Sequence, residues 1–157
     1  MNSTTSSRRG LRVGYLFLLA ILIPLLTGLT GCSSTTTNSN VKMAPMSQMS
    51  AEVQKAPTTV REAYQFAVAN PEALKNVPCY CGCGAVGHTS NYSCYVKEIK
   101  PSGEVVFDQH ALGCSICVDI TQDVMKMTKD GKVPQKIRAA IDKTYTQYGP
   151  STMAAAQ

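Results

Sequence analysis

Residues 76–84 read NVPCYCGCG. Cys79, Cys81 and Cys83 occupy alternate positions, and a glycine follows the second and the third. Pro78 removes a backbone donor and stops regular structure just before them, so the stretch reads as a loop. Cysteines two apart pair with each other only under strain. Three such thiols therefore need partners from elsewhere in the chain, and the fold is whatever brings those partners to the loop.

The partners are close in sequence. Six of the seven cysteines and both histidines lie between positions 79 and 117. Cys114 and Cys117 are three apart in a segment with helical spacing. Asp108 is a fair N-cap, and the pattern predicts a helix over 109–129. On that helix His110, Cys114 and Cys117 form one inward column, continued into the core by Ile120 and Val124. The helix N-terminus would favour the thiolate form there. His88 and Cys94 lie just beyond the glycine-spaced loop and complete the candidate set.

Two chemistries fit these residues. Thiolates, with imidazole, bind a soft or borderline metal, and Gly82 and Gly84 let the backbone fold around an ion without Cβ clashes. Alternatively, the six cysteines form three structural disulfides, which their even number allows. One disulfide beside a four-sulfur site is an intermediate case. Hydrolytic catalysis has no support, since no Ser/His/Asp signature is present and Asp119 and Asp123 read as a solvent-facing pair beside Lys126. Tyr80 and Tyr95 flank site cysteines and read as packing residues.

The scaffold is expected to be mainly α: one small domain of about four helices with a short β-hairpin, over residues 58–150. Thr58 or Thr59 caps a helix over 60–69 with Val60, Tyr64, Ala67 and Val68 on one face. Asn70-Pro71 ends it, and Pro71 opens a short turn to about 77. Runs 94–99 and 104–107 are β-prone and joined by Lys100-Pro101-Ser102-Gly103. Asp130-Gly131 closes the long helix. Pro134 opens a last helix to 148, with Ile137, Ile141, Tyr145 and Tyr148 on its buried stripe. A core of about 90 residues is marginal, and exported domains of that size add disulfides or a metal.

Upstream, Arg8, Arg9 and Arg12 precede the charge-free run VGYLFLLAILIPLLTGLTG and Cys32. A basic start, a short apolar core and small residues before a cleavage point make a secretory signal, here residues 1–31. Leu29-Thr30-Gly31-Cys32 resembles a bacterial lipobox. That resemblance implies cleavage before Cys32, a lipid on its sulfur and a location on the extracytoplasmic face of the cell membrane. Arg8-Arg9 also resembles a twin-arginine export signal. Residues 32–57 are rich in Ser, Thr and Asn and read as a flexible tether with a reach of roughly 25–30 Å. Met43, Met46 and Met49 recur in it at spacing three, as auxiliary thioether ligands for copper or as incidental linker residues. Residues 151–157 read as a disordered tail. Without the three signal arginines, 12 basic residues face 10 acidic ones. A net charge of +2 is no nucleic-acid footprint.

Pro78-Cys79-Tyr80-Cys81-Gly82-Cys83, Gly87-His88, Cys94-Tyr95, Asp108, His110 and Cys114-Ser115-Ile116-Cys117 resemble the bacterial lipoprotein family named for its PCYCGC motif, over roughly 56–149. The resemblance implies export, lipidation and the grouping of these positions. It implies no activity, because that family is a domain of unknown function. The metal assignment comes from the spacing: Cys79, Cys81, Cys83, Cys94, Cys114 and Cys117 with His88 and His110 as a site for Cu(I) first, and zinc or another soft metal second. The function read from it is membrane-anchored metal trafficking, storage or resistance, with a copper chaperone, oxidase or metal transporter as partner. The alternatives are a thiol–disulfide partner in metalloprotein assembly, through the CxxC at 114–117, and a domain merely stapled by zinc or disulfides.

Overall fold

A computed structural model describes residues 41–154. The expected signal segment, Cys32 and positions 33–40 of the expected tether lie outside the described residues. Five α-helices and one hairpin make up the regular structure there: α1 (Ala51–Lys55), α2 (Thr58–Ala69), α3 (Pro71–Lys75), β1 (Val96–Ile99), β2 (Val105–Phe107), α4 (Ser115–Lys129) and α5 (Pro134–Tyr145). Single 3₁₀ turns punctuate the connections. The mainly helical class with a short hairpin is as the sequence predicts.

The core is built by α4 packing on α2 on one side and on α5 on the other. From α2 it receives Ala63, Tyr64, Phe66 and Ala67, from α4 Cys117, Val118, Ile120, Thr121 and Val124, and from α5 Ile137, Ile141 and Tyr145. These recur at three- and four-residue spacing, as an apolar stripe should. Two stripes differ in detail from the sequence reading. Val60 and Val68 are only half-buried, while Ala63 and Phe66 carry the contact. Tyr148 is 56% exposed, because α5 gives way to a 3₁₀ turn at Thr146 and the helical register ends. Tyr64 and Tyr95 meet edge to face at 4.9 Å, joining α2 to the start of the hairpin.

The hairpin pairs Val96 with Phe107 and Ile99 with Val105, with an irregularity between Val96 and Glu98. Its turn closes by Gly103 N–H donating to Lys100 C=O at 2.8 Å. Its service to the site is at its base, where Asp108 N–H donates to Tyr95 C=O at 2.9 Å and Tyr64 Oη–H to Asp108 C=O at 2.7 Å.

Three expectations are corrected. Residues 41–57 are not free tether. Ala44 N–H donates to Gln65 C=O and Gln65 Nε2 donates back to Ala44 C=O, while Asn70 Nδ2 holds Lys42 C=O at 2.7 Å. Ser50 caps α1, and Met49 and Val53 are buried in the core. The methionine spacing is thereby explained: Met49 packs in the core, Met46 packs against it, and Met43 is exposed. Residues 151–154 of the expected tail are likewise fixed, since Arg138 Nη2 donates to Ala154 C=O and Thr152 bonds to Cys79. The long helix is the third case. It starts at Ser115, and His110–Leu112 is a separate 3₁₀ turn, with Asp108 Oδ1 accepting from His110 N–H at 2.8 Å. Gln109, not Asp108, is the N-cap of that turn, and the chain breaks at Gly113 before α4 begins.

Val53 is 1% exposed. Val53→Ala is expected to destabilise the domain by about 1–3 kcal/mol, through lost burial and the cavity left behind. Chemical denaturation measures it. An unchanged midpoint would return residues 41–57 to the status of linker.

Candidate metal centre

The loop after α3 is positioned by its neighbours before its sulfurs meet. Asn91 N–H donates to Val77 C=O at 2.8 Å, tying the loop's start to the Asn91–Cys94 turn. Gly82 sits at φ +82°, a left-handed conformation that costs glycine little, and it turns the chain into the 3₁₀ turn Cys83–Val86. Gly84, also expected to matter, has an ordinary φ, and a Cβ there would meet the Thr152 methyl at an unstrained 3.6 Å. From outside, residues 149–152 strap the loop. Cys79 N–H donates to Thr152 Oγ1 at 2.9 Å, and Thr152 N–H donates to Cys79 C=O at 3.1 Å. A Cβ on Gly149 would meet Tyr80 C=O at 2.7 Å, so only glycine passes there.

Against this loop stands the first turn of α4. Cys114 is its N-cap residue and Cys117 lies three further on, inside the first turn. A buried polar network fixes that turn. Tyr95 Oη–H donates to Cys117 C=O at 2.8 Å, and Asn91 Nδ2 donates to the same carbonyl at 3.2 Å. Thr121 Oγ1–H donates to Asn91 Oδ1 at 2.7 Å and lies 2.7 Å from Tyr95 Oη. Asn91, Tyr95 and Thr121 are fully buried, and every one finds partners in the others or in the Cys117 carbonyl, as burial demands.

The sulfurs then converge. Cys117 Sγ lies 3.2 Å from Cys79 Sγ, 3.3 Å from Cys94 and 3.6 Å from Cys81. Cys79 and Cys81 are 3.4 Å apart, and Cys83 and Cys94 3.7 Å. All six of these cysteines, Cys114 included, are unbridged in the structure, so these are contacts and not bonds. Two four-residue sets have ligand atoms within 4.8 Å of one another: Cys79, Cys83, Cys94 and Cys117, all buried, and Cys81, His110, Cys114 and Cys117, of which only Cys117 is buried. The first set suits a tetrahedral thiolate site, whose sulfur–sulfur edge is about 3.8 Å for a metal–sulfur bond of about 2.3 Å.

The histidines join the rim. Cys81 Sγ is 3.4 Å from His110 Nε2, and Cys94 Sγ is 3.5 Å from His88 Nδ1. His88 turns its Nε2 toward Asp108 Oδ2 at 3.5 Å, the pattern of an imidazole oriented by a carboxylate behind it. The two rings meet edge to face at 5.0 Å. All eight sequence-predicted residues are thus brought together, although His110 arrives on a 3₁₀ turn and not on α4. Sequence reasoning missed the supporting residues Asn91, Thr121, Gly149 and Thr152, and no local pattern marks them. Asp123, expected to face solvent beside Lys126, accepts from Tyr145 Oη, and Lys126 pairs with Asp130 instead. Tyr80 is a packing residue, anchored by its hydroxyl to Asp142 at 2.7 Å.

A family model described as a protein of unknown function with PCYCGC motif matches residues 21–156. The chain belongs to this family. No curated protein and no solved structure matches. The PCYCGC family's description names no activity, so chemistry must come from the thiols themselves.

Their protonation is uneven. Hydrogen bonds from Cys117, then Cys94, hold Cys79 far below the usual thiol range against the pull of burial. The other side of the same bonds, to Cys79 first and Cys94 next, raises Cys117, with burial adding to it. Cys81 and Cys83 are raised by burial first and by Cys79 next. On Cys94 the largest influence, a bond from Cys117, lowers the pKa, yet Cys79 and burial together leave it raised. Of these thiols, Cys79 is the one the contacts favour as thiolate.

An ion taken up by this cluster must displace those protons, because thiolates and not thiols are ligands. Raised pKa values mean the protons are still bound at neutral pH, so affinity must climb with pH. Cadmium titrations at pH 6.5 and 7.5 are expected to differ by about tenfold for each proton released. Equal affinities at the two pH values would contradict this protonation pattern.

Proposed function

We propose that this protein is a lipid-anchored protein of the extracytoplasmic membrane face that binds a soft metal ion, Cu(I) in the first place, for metal trafficking, storage or resistance. The observation that carries the reading is the enclosed all-sulfur set Cys79, Cys83, Cys94 and Cys117, with exposures of 0, 3, 0 and 0%. Soft thiolates select Cu(I), zinc or iron–sulfur clusters. Cu(I) is put first as the softest of these ions, facing an all-sulfur donor set; the 3.2 Å contact of Cys79 with Cys117 must open to admit any ion. Zinc is the second reading, supported by the four-sulfur composition of the inner set.

Thiol–disulfide exchange is less well supported. Cys114 is half-buried and within a partner's reach, but Cys117, its CxxC mate, is buried with its sulfur in contact with Cys79 and Cys94, inside the larger cluster. The lipid anchor rests on the lipobox-like run ending at Cys32, and a copper chaperone, oxidase or transporter in the same membrane is the partner such a protein would serve. Nucleic acid is an unsuitable partner for a nearly balanced charge.

Serine at Cys79, Cys81 and Cys83 together is expected to abolish Cu(I) retention by the reduced, anaerobic protein against a chromophoric chelator. Retention of wild-type stoichiometry in that variant would overturn the reading. Separately, Cys32→Ser is expected to release the chain from the membrane fraction and to stop incorporation of radiolabelled palmitate; labelling that persists in the variant would refute lipidation at Cys32.

A further inference from the structure

The two thiol sets are not independent sites. They share one sulfur, that of Cys117, and they differ in access. Cys79, Cys83 and Cys94 lie on the buried side, while Cys81, His110 and Cys114 are half-buried. We propose that the centre holds two metal ions joined by the Cys117 thiolate: an inner ion on Cys79, Cys83 and Cys94, and an outer ion on Cys81, Cys114 and His110 that is the one exchanged with the outside. This rests on the metal-binding reading above and extends it to number, bridging atom and direction of traffic.

Geometry supports a shared sulfur. Cys117 Sγ touches Cys79 and Cys94 of the inner set at 3.2 and 3.3 Å and Cys81 of the outer set at 3.6 Å, with Cys81 also 3.4 Å from Cys79. Cys81 in turn touches His110 Nε2 at 3.4 Å, so the outer group is continuous around Cys117. A thiolate has lone pairs for two metals, and the Cys117 carbonyl is held by Tyr95 and Asn91, which fixes the turn that aims its sulfur between the sets.

The two sets also differ in where their charge sits. Uncompensated charge is costly inside a protein. A second ion sharing Cys117 adds a positive charge at the bridge, and the two thiolates it recruits, Cys81 and Cys114, are half-buried, within reach of solvent. Cys114 at the N-cap and Cys117 in the first turn also place the remaining negative charge at the positive end of the 15-residue helix α4. Neither ion changes oxidation state on entry, and each thiol that becomes a ligand gives its proton to solvent.

The test uses the full-length chain in detergent, reduced and anaerobic, with Cu(I) delivered from a chromophoric chelator. Native mass spectrometry is expected to find two ions per chain, and the double variant His110→Ala/Cys114→Ser to retain one. X-ray absorption at the copper edge of the wild-type protein is expected to show a metal–metal vector shorter than about 4.6 Å, the limit set by two bonds of about 2.3 Å to one sulfur. The wild-type measurements need no variant to fold. Saturation at one ion, two ions without that vector, or two ions retained by the double variant would each overturn the two-ion centre while leaving metal binding intact. No uptake at all would overturn both.

Discussion

The structure turns on the contacts of one sulfur. Cys117 Sγ lies within 3.6 Å of three other cysteine sulfurs, and each comes from a different part of the chain or a different position in the glycine-spaced loop. Bringing four polar, ionisable groups to one buried point requires that their surroundings be fixed more firmly than an apolar core would need. That explains why the helix carrying Cys117 is gripped at its carbonyl by Tyr95 and Asn91, and why Thr121 ties those two side chains to each other. It also explains the strap. Thr152 satisfies both the amide and the carbonyl of Cys79, so a segment at the far end of the chain holds the first cysteine of the motif in place.

Access grades across the cluster. The inner sulfurs are sealed by the core, and the outer thiols and His110 line the boundary with solvent. On the two-ion proposal, the enclosed set would keep its ion and the half-exposed one would pass its ion on. Asp108 couples the rim to the scaffold. Its backbone bonds to Tyr95 and Tyr64, one carboxylate oxygen accepts from His110 N–H, and the other faces His88. The hairpin base is thereby a mount for both histidines.

Much of this is legible in the chain. Three- and four-residue spacing of apolar positions locates α2, α4 and α5, and the concentration of soft ligands between 79 and 117 locates the centre. What is not legible has physical reasons. The segment 41–57 is polar in composition, and its attachment comes from backbone hydrogen bonds to α2 and scattered side chains, Ala44, Met46, Met49 and Val53, which carry no periodic signal. His110, Cys114 and Cys117 share helical spacing, so the long helix reads as continuous through Gly113. The chain breaks there, and a 3₁₀ turn delivers His110 to the same place by another route. Local rules fail most where a site imposes its own geometry, and this is such a place. Thr152 and Gly149 carry no signal in sequence, since their importance lies in contacts some 70 residues away.

A combined elemental analysis and thiol count, on protein isolated from the cell envelope without added metal or reductant, bears most directly on the soft-metal centre. Such a centre predicts bound metal, together with six thiols that resist a thiol reagent until acid or a strong chelator removes the ion, and then react in full. Metal-free protein whose six cysteines are already oxidised in pairs, and which yields thiols only after reduction, would contradict it.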